Sequence, residues 1–258
     1  MFGKFARCVA LSCVLGALLP CLALSGCATA QGDAGGKKVV VVWSEGTAPK
    51  DVYPNDINGA IAEGLADMPG WEVVTASIKD PEQGISDDLL KRTDVLIWWG
   101  HKKHGLVKNA LVAKIENRVK NEGMGFISLH SSHFAKPNKA LMGTECSWGA
   151  YEGDSSNLRV TVADPAHPIA KGVADFTTVH EERYSEPYAV PEPEAVVFTG
   201  VHEIKKGGED PSRIGLCWHV GKGKFFYFQA GHETNPIFYD KNVRTIMRNA
   251  VEWAAPEK

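Results

Sequence analysis

Histidine and carboxylate side chains cluster just after apolar segments, where they could bind a metal ion or transfer protons. Five of the nine histidines stand in such places: His101, His104, His130, His133 and His232. The segment after His180 adds Glu182 and Tyr184, and Glu233 directly follows His232. Imidazole and carboxylate together suit a divalent transition ion, and both groups serve as general acids and bases. These residues therefore make up the candidate chemical site.

A divalent ion of the zinc or manganese kind is the cofactor that these side chains would hold. We predict four candidate ligands: His130, His232, His101 and His133. Glu182, Glu233 or Tyr184 would then move a proton. The residue order does not match the HExxH pattern, so the prediction depends on the fold to bring the ligands together. The plainer interpretation is that the segment 180–186 is an acidic surface loop.

Ser131 and Ser132 allow a different chemistry at the sharp turn that follows the apolar segment 126–129. Either hydroxyl could attack a substrate if His232 or His133 removed its proton. Either could instead cap the helix predicted around 140–142, because a hydroxyl at a helix N-terminus accepts backbone N–H groups. We expect a capping role for at least one serine, and Ser131 is the candidate nucleophile.

Alternating strand and helix patterns place these residues at one edge of a parallel sheet. Apolar runs predict strands at 38–43, 72–76, 93–99 and 125–129, and helical spacing predicts helices at 55–66 and 107–119. The second half predicts strands at 157–162, 195–199, 213–220 and 224–229 and a final helix at 240–253. Strand–helix alternation is typical of parallel sheets, whose ligands bind beyond the carboxyl ends of the strands. Such a sheet would bring the histidines together.

Three further residues near the same strand ends are predicted to contact a substrate: Trp99, Glu45 and His104. An indole can stack against a sugar ring, and carboxylate and imidazole groups can hydrogen-bond to hydroxyls. Alternate residues of a strand point to opposite faces, so Trp99 could equally be a core residue.

The N-terminus has the three parts of an export signal. Two basic residues precede an apolar stretch, which ends in Leu24-Ser25-Gly26-Cys27, the Leu-small-small-Cys form of a lipobox. We predict that residues 1–27 are a lipoprotein signal peptide and that Cys27 carries the lipid. The protein would then be exported and lipid-anchored to the bacterial cell envelope. An uncleaved membrane span is the alternative, but Pro20 interrupts the apolar stretch.

The remainder of the chain divides into a short tether and one domain. Residues 28–37 are small and polar, which predicts a flexible tether, and 38–258 is long enough for a single domain. The net charge of −3, without a basic run, argues against nucleic acid as a partner. Outside the predicted signal and lipid site, only Cys146 and Cys217 remain. They could form a disulfide or stay as two buried thiols.

Four blocks of the sequence resemble the ThuA-like family, which is named for trehalose utilisation. The blocks are VLIWWGHKKH (95–104), GMGFISLHSSHF (123–134), EERYSEP (181–187) and GKFFYFQAGHETNP (223–236). The resemblance implies a flavodoxin-like three-layer parallel sheet, related to class I glutamine amidotransferases, with additional antiparallel strands in the C-terminal half. Those enzymes carry a nucleophilic cysteine where this chain offers His130 and Ser131, so glutamine hydrolysis by a thiolate is excluded. Their second motif is a histidine with a glutamate two residues on, whereas Glu233 directly follows His232.

Together, the residues and the resemblance predict an exported lipoprotein enzyme of carbohydrate metabolism. Its reaction would be metal-assisted hydrolysis, elimination, hydration or isomerisation of a sugar or 3-keto-sugar. No nucleotide cofactor is expected, because such cofactors are scarce outside the cytoplasm. The expected partners are a carbohydrate and the membrane, and a homo-oligomer is allowed. Two alternatives stay open: a metal-free serine/histidine hydrolase and a non-catalytic sugar-binding lipoprotein.

Overall fold

The structure, a computed structural model, describes residues 36–257, apart from the side chains of 154–156. The described strands are β1 (Lys38–Ser44), β2 (Trp71–Ser77), β3 (Val95–Trp99), β4 (Gly125–Leu129), β5 (Ala150–Val162), β6 (Phe176–Ser185), β7 (Ala195–Glu203), β8 (Glu209–Val220) and β9 (Gly223–Phe228). The described α-helices are α1 (Asp56–Leu65), α2 (Asp87–Arg92), α3 (Asn109–Glu122), α4 (Lys136–Met142) and α5 (Lys241–Ala254). None of these helices is long and apolar enough to cross a membrane. The predicted signal peptide and the tether up to residue 35 lie outside the described residues and stay predictions.

One sheet contains all the described strands, in the order β2-β1-β3-β4-β9-β8-β7-β5-β6. The first five in that order are parallel. Their order is the flavodoxin-like one, in which the first strand lies between the second and the third. Strands β8, β7, β5 and β6 extend the sheet through antiparallel pairs. The predicted fold class, a flavodoxin-like parallel sheet with additional antiparallel strands, is confirmed.

Helices cover both faces of the parallel strands because these strands are apolar on both sides. In β1, Val40 and Val42 pack in one core with residues of α1 and α5, whereas Val39 and Val41 pack in a second core with residues of α3 and α4. Helix α5 buries residues at intervals of three and four: Val243, Ile246, Met247, Ala250, Val251 and Ala254. The strand ends are thereby held between two helical layers.

Strand β6 and helix α2 are not predicted by the sequence patterns. Strand β6 contains the acidic segment that resembled a surface loop, yet Glu181 and Glu182 are buried in it. Apolar periodicity does not detect a strand whose buried side chains include carboxylates. The surface-loop interpretation of this segment is wrong. Helix α2 has six residues, too few for a periodic pattern, although Ser86 caps it by accepting the Leu89 N–H at 3.2 Å.

Neither serine of the turn after β4 caps helix α4. Both lie in a single 3-10 turn, His130–Phe134, and the residue that precedes α4 is Ala135, which makes no side-chain capping bond. The Ser132 hydroxyl instead donates to the Trp98 carbonyl at 3.0 Å and accepts the Gly100 N–H at 2.7 Å. The expected capping role is wrong, and Ser132 ties the ends of β3 and β4 together.

The two cysteines of the domain are free thiols. Cys217 packs in the core beside α1 and α5, and Cys146 packs in the core beside α3 and α4. Because these cores lie on opposite faces of the sheet, the two sulfur atoms cannot meet. Burial raises the pKa of both thiols, which keeps them protonated and unreactive.

A reducing agent should leave the thermal unfolding midpoint of the purified protein unchanged. A disulfide typically contributes about 2–4 kcal/mol, and its loss lowers the midpoint by several degrees, whereas free thiols give no such effect. Circular dichroism melts with and without reductant make the comparison, and a thiol count under denaturing conditions is the control. A midpoint that falls by several degrees in reductant would contradict the separated thiols.

Candidate metal centre

Three neighbouring parallel strands each deliver one histidine to the same place. His101 follows β3, His130 follows β4 and His232 follows β9, and these strands are adjacent in the sheet. Their ring centroids lie 5.2 to 5.6 Å apart. Because parallel strands end at one edge, the imidazoles meet where the sequence analysis expected a site.

Glu182, from the antiparallel strand β6, lies between the three rings. Its Oε2 atom is 3.1 Å from Nε2 of His130 and 3.5 Å from Nε2 of His101. Its Oε1 atom is 3.3 Å from Nε2 of His232. One ligand atom from each of these four residues lies within 4.8 Å of the other three. We call His101, His130, Glu182 and His232 the four-residue cluster.

In His130 and His101, the partner of the second ring nitrogen decides whether the Nε2 atom that faces Glu182 carries a proton or a lone pair. Nδ1 of His130 lies 3.0 Å from the Gln229 carbonyl oxygen, which can only accept, so this nitrogen donates. Nδ1 of His101 likewise forms an ion pair with Glu233. A neutral ring then turns a lone pair at Nε2 toward a carboxylate, which is also an acceptor. Two acceptors at this distance need a proton or a cation between them.

Charges in the cluster shift the pKa values of its members in opposite directions. Burial lowers the pKa of His101, but the carboxylates of Glu182 and Glu233 outweigh it and raise this pKa to about 9. The pKa of His232 is also raised, because Glu182 outweighs burial. Burial raises the pKa of both carboxyls, but the imidazoles outweigh it. The pKa of Glu233, which Lys102 also contacts, is lowered to about 2, and that of Glu182 lies well below its usual range.

His130 has a backbone conformation that few residues other than glycine adopt, with φ at 53°. Such a conformation costs roughly 1–3 kcal/mol and persists where the surrounding structure enforces it, often at functional turns. The Tyr227 hydroxyl donates to the His130 carbonyl at 3.1 Å and so helps to hold the turn. The sharp turn predicted after β4 therefore aims an imidazole at the site.

Glu181, which the sequence analysis did not single out, holds the segment that carries His232. Its Oε2 accepts the N–H groups of Gly231 and His232 at 3.1 and 3.2 Å, and its Oε1 accepts Nδ2 of Asn235 at 2.6 Å. The side chain is fully buried, so these bonds replace those that the carboxylate would make with water. The adjacent pair Glu181 and Glu182 could reveal this role only if β6 were recognised as a strand. Consecutive residues of a strand point to opposite sides, so the two carboxylates then have different partners.

Glu45, predicted to bind substrate, anchors the loop after β3. Its Oε2 accepts the backbone N–H groups of Lys102 and Lys103 at 2.6 and 2.8 Å. The residue is fully buried and does not line the cavity described below. Glu45 thus anchors the backbone of the His101 loop through Oε2, and its contact with a substrate stays a prediction.

Two other predicted site residues are placed differently by the structure. Trp99 is fully buried, and its Nε1 donates to the Gly231 carbonyl at 3.0 Å, so it is a core residue and the predicted stacking role is wrong. His133 is also fully buried and contributes no ligand atom to the cluster, so its prediction as a ligand is wrong too. Its Nδ1 lies 3.1 Å from the His130 carbonyl, and burial lowers its pKa to about 3.

A cavity of about 520 Å³ opens beside the cluster. Its wall contains His101, His104, Ser131, Phe134, Trp148, Tyr151 and Tyr184. The hydroxyls of Tyr184 and Tyr151 each donate to Glu182 at 2.6 Å, and Oγ of Ser131 lies 2.7 Å from the Tyr184 hydroxyl. Burial, reinforced by Glu182, raises the pKa of Tyr184, which stays protonated. The structure thus joins most of the predicted residues and adds Tyr151, which the sequence analysis missed.

Replacement of Glu181 by alanine should destabilise the protein by about 3–5 kcal/mol, because buried donors would lose their charged acceptor. Chemical denaturation followed by circular dichroism measures the change. The matched control is Glu192→Ala, since this carboxylate is 87% exposed and its loss should cost less than about 0.5 kcal/mol. Equal stabilities of the two variants would refute the role given to Glu181.

Comparisons with known proteins agree with this architecture. A family model described as ThuA, trehalose utilisation, matches residues 38–254. A putative ThuA-like protein from Parabacteroides merdae superposes with a TM-score of 0.62 at 13% identity, over 87% of this chain and 93% of that one. Another from Bacteroides uniformis gives a TM-score of 0.58 at 17% identity, over 87% and 94%. No curated protein matches the sequence. These structures support the fold alone, but the family model spans almost the entire described domain, and the chain therefore belongs to the ThuA family.

Proposed function

We propose that the protein is a metal-dependent enzyme of carbohydrate metabolism, and that the four-residue cluster holds a divalent transition ion. The observation that carries the proposal is the convergence of three Nε2 atoms on one buried carboxylate. Three imidazoles and a carboxylate are a ligand set that suits zinc, manganese and similar ions. Histidines that bind metals usually donate their other nitrogen to a carboxylate or a carbonyl, as His130 does to Gln229. The corresponding nitrogen of His101 forms an ion pair with Glu233.

The bound ion would polarise a sugar carbonyl or hydroxyl pair, or activate a water molecule. Tyr184 lies at the junction of cluster and cavity, where its hydroxyl contacts both Glu182 and Ser131. It is therefore placed to form a hydrogen bond with a ligand in the cavity. A keto group acidifies the neighbouring C–H bond, so hydrolysis, elimination, hydration and isomerisation all fall within the reach of one Lewis acid and one base.

A sugar or 3-keto-sugar is the proposed substrate class on two grounds. The family model that matches the chain is described as trehalose utilisation. The cavity wall also contains the rings of Phe134 and Trp148, and aromatic faces suit the apolar C–H face of a sugar. Its volume of about 520 Å³ is in the usual range for small-molecule sites.

Purified protein should contain about one equivalent of a divalent transition ion, which a chelator removes together with part of the thermal stability. His130→Ala, His232→Ala and Glu182→Gln should each weaken binding of Zn²⁺ or Mn²⁺ by more than about 100-fold, since even residues behind the ligands contribute 10–100-fold. Elemental analysis and calorimetric titration of the chelated protein measure both effects.

Ser131→Ala is the matched control, because it removes a polar group from the cavity wall without removing a ligand atom. It should keep the ion and retain most turnover on a panel of glycosides and 3-keto-glycosides. If the protein were a serine hydrolase, Ser131→Ala would instead lose all turnover. The described residues speak against that mechanism, because Ser131 bonds to Tyr184 and to no imidazole. Protein that holds no metal, with a melting point indifferent to chelator, would overturn the proposal. Sugar binding without turnover would favour the non-catalytic lipoprotein.

We also propose that the enzyme is exported and anchored by lipid at Cys27, which the lipobox supports. Metabolic labelling with a tagged fatty acid should mark the wild-type protein, and Cys27→Ser should abolish the label. Cys21→Ser is the matched control, since it removes a cysteine from the same signal and should leave labelling intact. Retention of the label in Cys27→Ser would exclude this anchor.

A further inference from the structure

A second pair of titratable side chains, Glu45 and His104, lies beside the cavity and outside the four-residue cluster. His104 lines the cavity, and its Nδ1 is 3.7 Å from Oε1 of Glu45. Both of these atoms are buried, and neither has a hydrogen-bond partner among the described residues. Buried polar atoms are nearly always paired in folded proteins, so this gap points to a function of the pair.

The backbone fixes Glu45 so that one oxygen is left over. Its Oε2 accepts two consecutive N–H groups, those of Lys102 and Lys103, which keeps the carboxylate from turning. Its Oε1 is thereby held toward His104. Gly100 allows the two side chains to approach, because a Cβ at this position would lie 3.1 Å from Oε1 of Glu45 and 3.2 Å from Nδ1 of His104.

This arrangement selects one tautomer of His104. A carboxylate oxygen can only accept, so a proton on Nδ1 lets both buried atoms bond once their separation closes from 3.7 Å to hydrogen-bond distance. Nε2 then carries the lone pair on a residue that lines the cavity. Burial lowers the pKa of His104 to about 4 in spite of the opposing effect of Glu45, and the ring is neutral at neutral pH. Hydrogen bonds at such sites are often long without ligand and tighten when it binds.

We propose that His104 is the general base for the reaction at the four-residue cluster and that Glu45 is the positioning residue that fixes its tautomer. The inference rests on the function proposed for that cluster. Nε2 of His104 takes a proton from a hydroxyl, a water or an acidic C–H of the ligand, and the electron pair of the broken bond stays on the ligand. The Glu45 carboxylate balances the imidazolium, which later returns its proton to the product or to water.

Glu45→Gln tests the pair because it changes the role of one atom and keeps the side-chain shape. The amide oxygen can still accept from Lys102 and Lys103, and the NH₂ group then donates to Nδ1 of His104. The ring proton must move to Nε2, so the base is lost while the loop stays anchored. Nitrogen NMR of the purified full chain, assigned with His104→Ala, should detect Nδ1–H in the wild type and Nε2–H in Glu45→Gln.

Turnover and metal content complete the test. Glu45→Gln and His104→Ala should each lower kcat by at least about 100-fold, the contribution of a general base, while KM and metal content stay near wild type. Glu63→Gln is the matched control, since it removes the same charge from a carboxylate that is 61% exposed. It should change neither the tautomer nor kcat.

The outcomes separate this inference from the proposed function. A wild-type protein without metal, or without turnover on the panel, counts against the proposed function, and the tautomer measured by NMR still decides for or against the pair. The pair is refuted if His104 carries its proton on Nε2 in the wild type. It is equally refuted if either variant keeps full turnover, or if either loses the metal.

Discussion

A carboxylate enclosed by three imidazoles is the constraint on which the site depends. Glu182 is 5% exposed, and an ionised group so far from water is tolerated only when positive charge lies against it. The strand order can supply that charge, because β3, β4 and β9 are adjacent and a histidine follows each of them. Protons on the rings or a divalent ion can provide the charge, and the same geometry accepts either.

Two further buried glutamates hold the backbone of neighbouring loops. Glu45 accepts N–H groups of the loop after β3, and Glu181 accepts N–H groups of the segment after β9. Loops lack the ladder of hydrogen bonds that orders a strand, so a buried acceptor is an effective way to fix them. Since Glu181 and Glu182 are consecutive in β6, one strand both supports a loop and faces the imidazoles.

The sequence predicts where the cluster lies in the fold better than it predicts which side chains belong to it. Continuous apolar runs identify strands such as β3 and β4 directly. Because parallel strands end at the same edge of the sheet, the residues just after them must lie near one another. Side-chain direction at that edge depends on the turn, so spacing alone could not separate Trp99 and His133 from the members of the four-residue cluster. Strand β6 escaped notice because its buried residues are polar or charged and give no apolar pattern. The partners of Glu181 and Glu182 also lie far away in the chain.

The cluster draws together residues from both halves of the chain, since His101 and His130 belong to the parallel part and Glu182 to the antiparallel extension. Its members become neighbours only after long-range pairing, which is the slow and entropically costly part of forming a sheet. An ion bound there would act as a cross-link between early and late segments of the chain. Because the ion would bind the native state alone, it would add to the free energy of unfolding, and the stability of the folded protein would depend on the metal supply.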